Sequence, residues 1–200
     1  KTDEFLQGFG PPFRRAFFME RSVGIAACAG RGSCGLHSPC SKNSCDPPGL
    51  PWRCAATMQT MEFALRQIVD RVRAAAAAQT PLRIRGGGTK DFHGLALHGE
   101  VLDTRPLNGI VSYEPSELVV TARVGTPLSE LEAVLAEKGQ CLPFEPPHFG
   151  PGATVGGMVA AGLSGPARAS VGAVRDYLLG VMLVNGRAEL LTFGGQVMKN

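Results

Sequence analysis

Two glycine-rich segments, each beside a predicted regular element, constrain the fold of this chain most strongly. The first, at 86–88, directly follows Leu82–Arg85, in which apolar and basic residues alternate as in a short strand. Ahead of that strand, residues 61–79 carry apolar side chains on one broad face and a run of alanines, which predicts a helix. A helix, a strand and a glycine loop in succession indicate a mixed α+β (α/β) domain.

The remaining sequence after residue 58 continues this alternation of short elements. Pro127 suits the first turn of a helix and Gly139 its end, so a second helix is predicted over 127–138. Asn185-Gly186 is a typical hairpin turn. The strands predicted from these patterns cover 101–104, 109–113, 118–124, 140–144, 177–184 and 188–193.

The second glycine-rich segment, at 150–165, is predicted as a long loop. A loop of this length inside a compact domain favours a binding role over a plain connection. Glycine lets backbone amides approach phosphate oxygens without a Cβ clash, so the first segment is a candidate for an anionic ligand. The many small residues of the second segment leave room for a flat ligand against the backbone. Neither matches the dinucleotide fingerprint G-x-G-x-x-G or the P-loop spacing, however.

Residues 1–57 have a different character from the rest. Five of the six cysteines lie there, and so does the entire formal charge of +3, because basic and acidic residues are equal in number from residue 58 onward. No sustained helical or strand periodicity is visible. We therefore predict two regions: 1–57 as an unstructured extension or upstream translation that is dispensable, and 58–200 as the folded domain.

Two alternatives for residues 1–57 match their patterns poorly. A zinc site could use Cys34, His37, Cys40 and Cys45, but structural zinc prefers closer cysteine pairs. A secretory signal is suggested only weakly, by the apolar residues at 23–29. No metal site is therefore expected.

Composition excludes several classes of function. With 44% hydrophobic and 18% charged residues the chain is neither a disordered acidic tail nor a coiled coil. No apolar run approaches the length of a membrane span. A formal charge of +3 is too small to indicate a basic surface for binding nucleic acid.

Three segments in fixed order resemble the FAD-binding domain of the vanillyl-alcohol oxidase/p-cresol methylhydroxylase superfamily. They are RGGGT at 85–89, GATVGG at 152–157 and GxxRDxxLG at 172–180. Within it, the chain is similar to the FAD-binding subunits of bacterial glycolate oxidases (glycolate dehydrogenases). The segments that carry this second resemblance are VGTPL at 124–128, CLPFEPPH at 141–148, GGMVA at 156–160 and FGGQVMKN at 193–200. The resemblance covers about 61–200 and implies a two-part FAD-binding domain, incomplete at its C-terminus.

The resemblance implies a cofactor site built from loops. Residues 86–89 would hold the FAD diphosphate, 152–157 would follow the ribityl chain and flavin, and 162–165 with Gly172 would pass the isoalloxazine edge. Some relatives link FAD covalently through a histidine where this chain has Thr89, so dissociable FAD is expected. The implied cofactor-binding residues are Arg85, Gly86, Gly87, Gly88, Thr89, Lys90, Gly152, Ala153, Thr154, Val155, Gly156, Gly157, Gly162, Gly165, Gly172, Arg175 and Asp176.

Several of these roles have a structural alternative. Lys90 could neutralise phosphate or be a solvated loop charge, and Arg175 with Asp176 could form a bracing ion pair or contact the cofactor directly. His148 could lie near the flavin or simply pack beside prolines, and His93 also lies near the first loop. Cys141, among apolar neighbours, is predicted to be a buried small residue.

The function that the resemblance implies is that of an FAD-dependent oxidoreductase, as one subunit of a glycolate dehydrogenase complex. Its partners would be a second flavin subunit and an iron–sulfur subunit, its location cytoplasmic or peripheral to the inner membrane, and a small 2-hydroxy acid the substrate. No catalytic residue can be assigned, and the chain alone is expected to be inactive. Two alternatives remain: an oxidoreductase for another 2-hydroxy acid or an alcohol, and a non-catalytic structural or electron-relay subunit.

Overall fold

The computed structural model describes residues 20–29, 52–96 and 98–195. Its helices are α1 (Trp52–Ala78), α2 (Leu128–Ala136), α3 (Val155–Ala161) and α4 (Arg168–Val171), with a 3₁₀ helix at Val174–Tyr177. Its strands are β1 (Glu20–Ala26), β2 (Cys28–Ala29), β3 (Leu82–Arg85), β4 (Glu100–Asp103), β5 (Ile110–Glu114), β6 (Val119–Ala122), β7 (Gln140–Cys141), β8 (Leu178–Val184) and β9 (Leu190–Gly194). The predicted mixture of helix and sheet is confirmed.

Five of the strands form one antiparallel sheet in the order β5–β6–β1–β8–β9. Its central strand, β1, pairs with β6 on one side and β8 on the other, so that Val23 lies opposite both Ala122 and Val181. β8 and β9 form the hairpin predicted around Asn185-Gly186. Two smaller sheets complete the described strands: parallel β3–β4 and antiparallel β2–β7.

The position of β1 differs from the prediction that residues 1–57 form an unstructured extension. Ile25 is 1% exposed, and the Ala27 amide donates to the Leu118 carbonyl oxygen at 2.7 Å. α1 also begins at Trp52, before the predicted boundary, and passes residue 58 without a break. Residues 1–19 and 30–51, which include the zinc candidates Cys34, His37, Cys40 and Cys45, lie outside the described residues.

One core lies between the five-stranded sheet and helices α2 and α3. On α2, apolar residues at helical spacing are completely buried, and Pro127 and Gly139 flank the helix as predicted. Ile25 brings β1 into the same core. The other buried members of this cluster are Ala27, Val120, Ala122, Leu128, Leu131, Leu135, Leu142, Phe144, Ala153, Val155, Met158 and Val174.

A second core packs α1 against residues of β4 and its surroundings. Leu65, Ile68 and Val72 recur every three or four positions and are the buried residues of one helix face. They pack with Leu102 of β4 and Val184 of β8. The start of β3, the strand that leads into the first glycine loop, lies against this cluster through Leu82 and Ile84.

The glycine-rich segment at 150–165 is not loop throughout, because α3 forms within it. The Thr154 hydroxyl accepts a hydrogen bond from the Gly157 amide at 3.2 Å, which caps the helix start. Gly162, at φ 62°, ends the helix in the left-handed conformation. Local capping and burial of Val155 and Met158 outweigh the low helix propensity of the glycines.

Cys141 is exposed, and the prediction that it is buried is wrong. The predicted strand over 140–144 is reduced to Gln140–Cys141, so its neighbours Leu142 and Phe144 enter the core while Cys141 does not. Among the helices of the described residues, none is both long enough and apolar enough to cross a lipid bilayer.

Candidate functional site

The two glycine segments meet through their backbones. A Cβ atom on Gly87 would lie 1.5 Å from the Gly152 carbonyl oxygen, a distance that no substituted side chain could accept. A Cβ on Gly86 would lie 2.6 Å from the hydroxyl oxygen of Thr154. The structure therefore brings together the first loop (86–90) and the second loop (146–157), which are about sixty residues apart in the sequence.

The first loop presents a series of unpaired backbone donors. Within the described part of the chain, none of the five amides of residues 86–90 donates a hydrogen bond, and all five residues are half-buried. Buried backbone amides are rarely without an acceptor, and half-buried amides such as these take one from water or from a ligand. Successive N–H groups in a turn with a left-handed residue, here Gly88 at φ 71°, form a concave site for an anion.

Two ionic contacts lie beside the first loop and share the carboxylate of Asp91. The Arg85 Nε donates to Asp91 Oδ2 at 2.7 Å, and Arg83 lies 3.5 Å from the same oxygen. A Cβ on Gly88 would lie 2.3 Å from Nη2 of Arg85, so the guanidinium packs directly against the loop. The Arg85 charge thus already has a carboxylate partner, and Asp91, which sequence reasoning did not single out, orients it.

Lys90 lies between the two loops. Its ammonium nitrogen is 5.7 Å from the centroid of the Phe149 ring, within the range of a cation–π contact. Partial burial lowers the pKa of Lys90, because desolvation disfavours the charged ammonium. On the same side, the side chain of Thr89 approaches Gly150 of the second loop.

Much of the predicted second loop is structural. Ala153, Thr154 and Val155 are buried, and the amides of Val155 and Gly156 donate to the carbonyl oxygens of Thr126 and Val124. Because these groups are bonded within the protein, they support the first loop through packing and do not offer free donors. Gly157, whose amide bonds the Thr154 hydroxyl, belongs with them.

The remaining predicted residues lie in a separate set of contacts. A Cβ on Gly165, at φ 75°, would lie 2.2 Å from the Glu145 carbonyl oxygen, so this glycine permits a close backbone approach. Asp176 accepts a hydrogen bond from the Ala173 amide at 2.8 Å and lies beside Gly172. Arg175 is 87% exposed and only 3.7 Å from Asp176, which favours a weak ion pair. Gly162 has open space where a Cβ would be.

The two candidate histidines have different surroundings. His148 Nε2 is 3.0 Å from Glu132 Oε1, so a carboxylate on α2 fixes its ring orientation beside Pro146 and Pro147. His93 contacts the ring of Phe92 edge-on, with the centroids 6.3 Å apart. Among the described residues, no group of three His, Cys, Asp or Glu side chains is placed to hold a metal ion.

Comparison with known families and structures gives consistent results. Residues 65–194 match the FAD binding domain family. Solved structures of alkyldihydroxyacetonephosphate synthase in two crystal forms superpose with a TM-score of 0.51 at 20% identity, over 64% and 66% of this chain and 24% and 25% of theirs. At that identity the likeness shows the fold alone.

Three curated relatives are oxidoreductases by name. Glycolate oxidase subunit GlcE of Escherichia coli is 52% identical over 133 residues, 66% of this chain and 38% of the relative. D-2-hydroxyglutarate dehydrogenase of Xanthomonas citri pv. viticola is 27% identical over 158 residues, which are 76% of this chain and 33% of that relative. D-lactate dehydrogenase of Archaeoglobus fulgidus is 32% identical over 123 residues, which are 60% of this chain and 27% of that relative. The chain spans about a third of the length of these relatives.

Proposed function

Because the chain belongs to the FAD-binding domain family, we propose that it holds the FAD diphosphate on the loop at 86–90, as the FAD-binding part of a flavin-dependent 2-hydroxy-acid dehydrogenase of the glycolate oxidase kind. One observation carries the proposal: the five amides of that loop have no acceptor within the described part of the chain. Phosphate oxygens are acceptors that such a row of N–H groups binds well.

The residues around the loop fit a diphosphate in charge as well as in hydrogen bonding. The Thr89 hydroxyl adds a donor, and the Lys90 ammonium adds a positive charge whose burial cost a bound phosphate would offset. Arg85, held by Asp91, acts by fixing the loop. When bound, FAD supplies the acceptor for a hydride removed from the substrate carbon that bears the hydroxyl.

Binding is proposed to be non-covalent. The residue directly after the three glycines is Thr89, whose hydroxyl is a poor nucleophile, where covalent relatives carry a histidine. Affinity then depends on non-covalent contacts alone. Residues 152–157, Gly162, Gly165, Gly172, Arg175 and Asp176 are proposed to support the site or line its edge, with the bonded amides of Val155 and Gly156 acting only through packing.

The relatives' names favour a small 2-hydroxy acid as the substrate. Glycolate, D-2-hydroxyglutarate and D-lactate all share a carboxylate next to a carbon that bears a hydroxyl. The 52% identity with the glycolate oxidase subunit favours glycolate over the substrates of the relatives at 27% and 32%. A different 2-hydroxy acid is the second candidate, supported by those two relatives.

The proposal includes a complex as the working unit. The E. coli relative is named as a subunit, which supports association with other subunits. We assign the partners as a second flavin subunit, which would handle the acid, and an iron–sulfur subunit, which would take the electrons onward. The complex would lie in the cytoplasm or at the inner face of a membrane through its other subunits.

A complementation assay tests this function. A preparation of the complex that lacks only this subunit should regain glycolate-dependent dye reduction when FAD and this subunit, produced at the length of its relatives, are added, while this chain alone should show no turnover. D-lactate and D-2-hydroxyglutarate are run in parallel. Recovery with one of these acids but not glycolate would contradict the substrate assignment, and turnover by the isolated chain would contradict the division of labour.

A further inference from the structure

Phe149 combines a left-handed backbone conformation with an exposed aromatic side chain. Its φ of 54° is in the left-handed region, which costs free energy for any residue with a Cβ and more for a bulky one. Its ring is nevertheless 53% exposed. Residues in strained backbone conformations cluster at ligand sites, where the surrounding contacts hold them in place.

The other left-handed residues with side chains have a local explanation. Gln79 directly follows α1, Leu118 directly precedes β6, and Ala188 lies in the turn between β8 and β9. Each is at a chain reversal or an element end, where this conformation is common. Phe149 also lies in a bend, directly before Gly150 and the turn at 151–152, so what sets it apart is its large, exposed aromatic side chain.

The Phe149 ring contacts Lys90 of the first loop and Phe92, which lies two residues beyond that loop. It meets the ring of Phe92 edge-on, with centroids 5.3 Å apart and planes at 72°. The Lys90 ammonium lies near its face. Phe92 is itself 68% exposed, so the two rings form an open aromatic surface.

This surface is continuous with the proposed diphosphate loop. Lys90 supplies the last of the five unpaired amides and also contacts Phe149, and Thr89 approaches Gly150 next to it. FAD carries a planar ring system on each side of its diphosphate. A diphosphate bound at 86–90 therefore brings one of these rings within reach of the aromatic surface.

We propose that Phe149, supported by Phe92 and Lys90, is a stacking platform for one planar ring of bound FAD, either the adenine or the isoalloxazine. The proposal rests on the proposed function, since it needs the diphosphate at the first loop. Stacking on an exposed aromatic ring is favourable for any flat heteroaromatic group. The bound ring would cover the apolar surface that Phe149 and Phe92 expose.

The test compares binding and stability in the full chain. Phe149→Ala should raise the Kd for FAD about tenfold, the effect of losing one stacked ring. Phe149→Gly should weaken FAD binding similarly while raising the Tm of the FAD-free protein, because glycine relieves the left-handed strain. FMN and ADP, titrated separately, distinguish the rings: the loss appears with FMN if the platform holds the isoalloxazine and with ADP if it holds adenine.

Two variants serve as matched controls. Phe63→Ala removes a similarly exposed phenylalanine from α1 and should leave the Kd unchanged. Gln79→Gly relieves left-handed strain away from the loops and should raise the Tm without affecting the Kd. Unchanged FAD affinity in both Phe149 variants, or an equal loss in Phe63→Ala, would overturn the platform. If the unsubstituted chain binds no FAD, the proposed function fails and the platform with it.

Discussion

Gly87 shows how one position can determine the geometry of the site. Its Cα faces the Gly152 carbonyl so closely that the two loops are in backbone contact. The sequence could predict that glycines would approach an anion, but not that this glycine approaches another loop. Its first role is therefore to join the two loops, and the anion site on 86–90 depends on that contact.

The expected effect of Gly87→Ala follows from this contact. The added methyl would overlap the Gly152 carbonyl, so the loops must separate, at a cost of about 1–3 kcal/mol or more in the free energy of unfolding. FAD affinity should fall with the displaced amides, and both effects are measured by thermal unfolding and FAD titration. Gly195→Ala, where a Cβ would meet open space, is the control. Unaltered FAD affinity in Gly87→Ala would contradict the loop–loop contact.

Residues identified only by the structure are side chains that respond to long-range neighbours. Asp91 gains its role because Arg83 and Arg85 point toward it, and Glu132 because α2 places it beside His148. The exposure of Cys141 depends on where β7 ends. Local sequence periodicity predicts none of these three features, whereas the two glycine segments can be recognised from composition and spacing alone.

At the level of elements, β1 is the largest difference between sequence and structure. The sequence around its seven residues does not mark them as a strand. They form one because their backbone pairs with β6 on one side and β8 on the other. The family match begins at residue 65, so the central strand of the sheet comes from outside the matched region. α3 differs for the opposite reason: its glycines predict a loop, whereas the Thr154 cap and the burial of Val155 and Met158 favour a helix.

A substitution in β1 tests whether this strand contributes to stability. Ile25 is completely buried against the α2 core, so Ile25→Ala should lower the free energy of unfolding by about 2–5 kcal/mol. Urea or thermal unfolding measures the loss, and exposed Phe63→Ala should change little. If Ile25→Ala, and deletion of residues 1–29, leave stability unchanged, the segment is a dispensable extension as its composition suggested.

For the molecule as a whole, the sequence predicts the cofactor family and most of the longer elements after residue 58, but neither β1 nor α3 nor the way the elements assemble. The predicted FAD-binding superfamily and its cofactor are confirmed by the match over 65–194. The predicted strands and helices from 82 onward shift by a few residues at their ends. The pairing of β1 with two strands about a hundred and a hundred and sixty residues later could not be predicted, because nothing local specifies it.

The central claim is that the full chain binds FAD reversibly through the unpaired amides at 86–90. The most direct measurement is a titration with FAD followed by flavin absorbance, and then acid precipitation of the saturated protein. We predict saturation at one FAD per chain and all of the yellow colour in the supernatant, since Thr89 offers no covalent link. Absence of saturable binding would contradict the anion site, and colour retained in the precipitate would contradict the non-covalent mode.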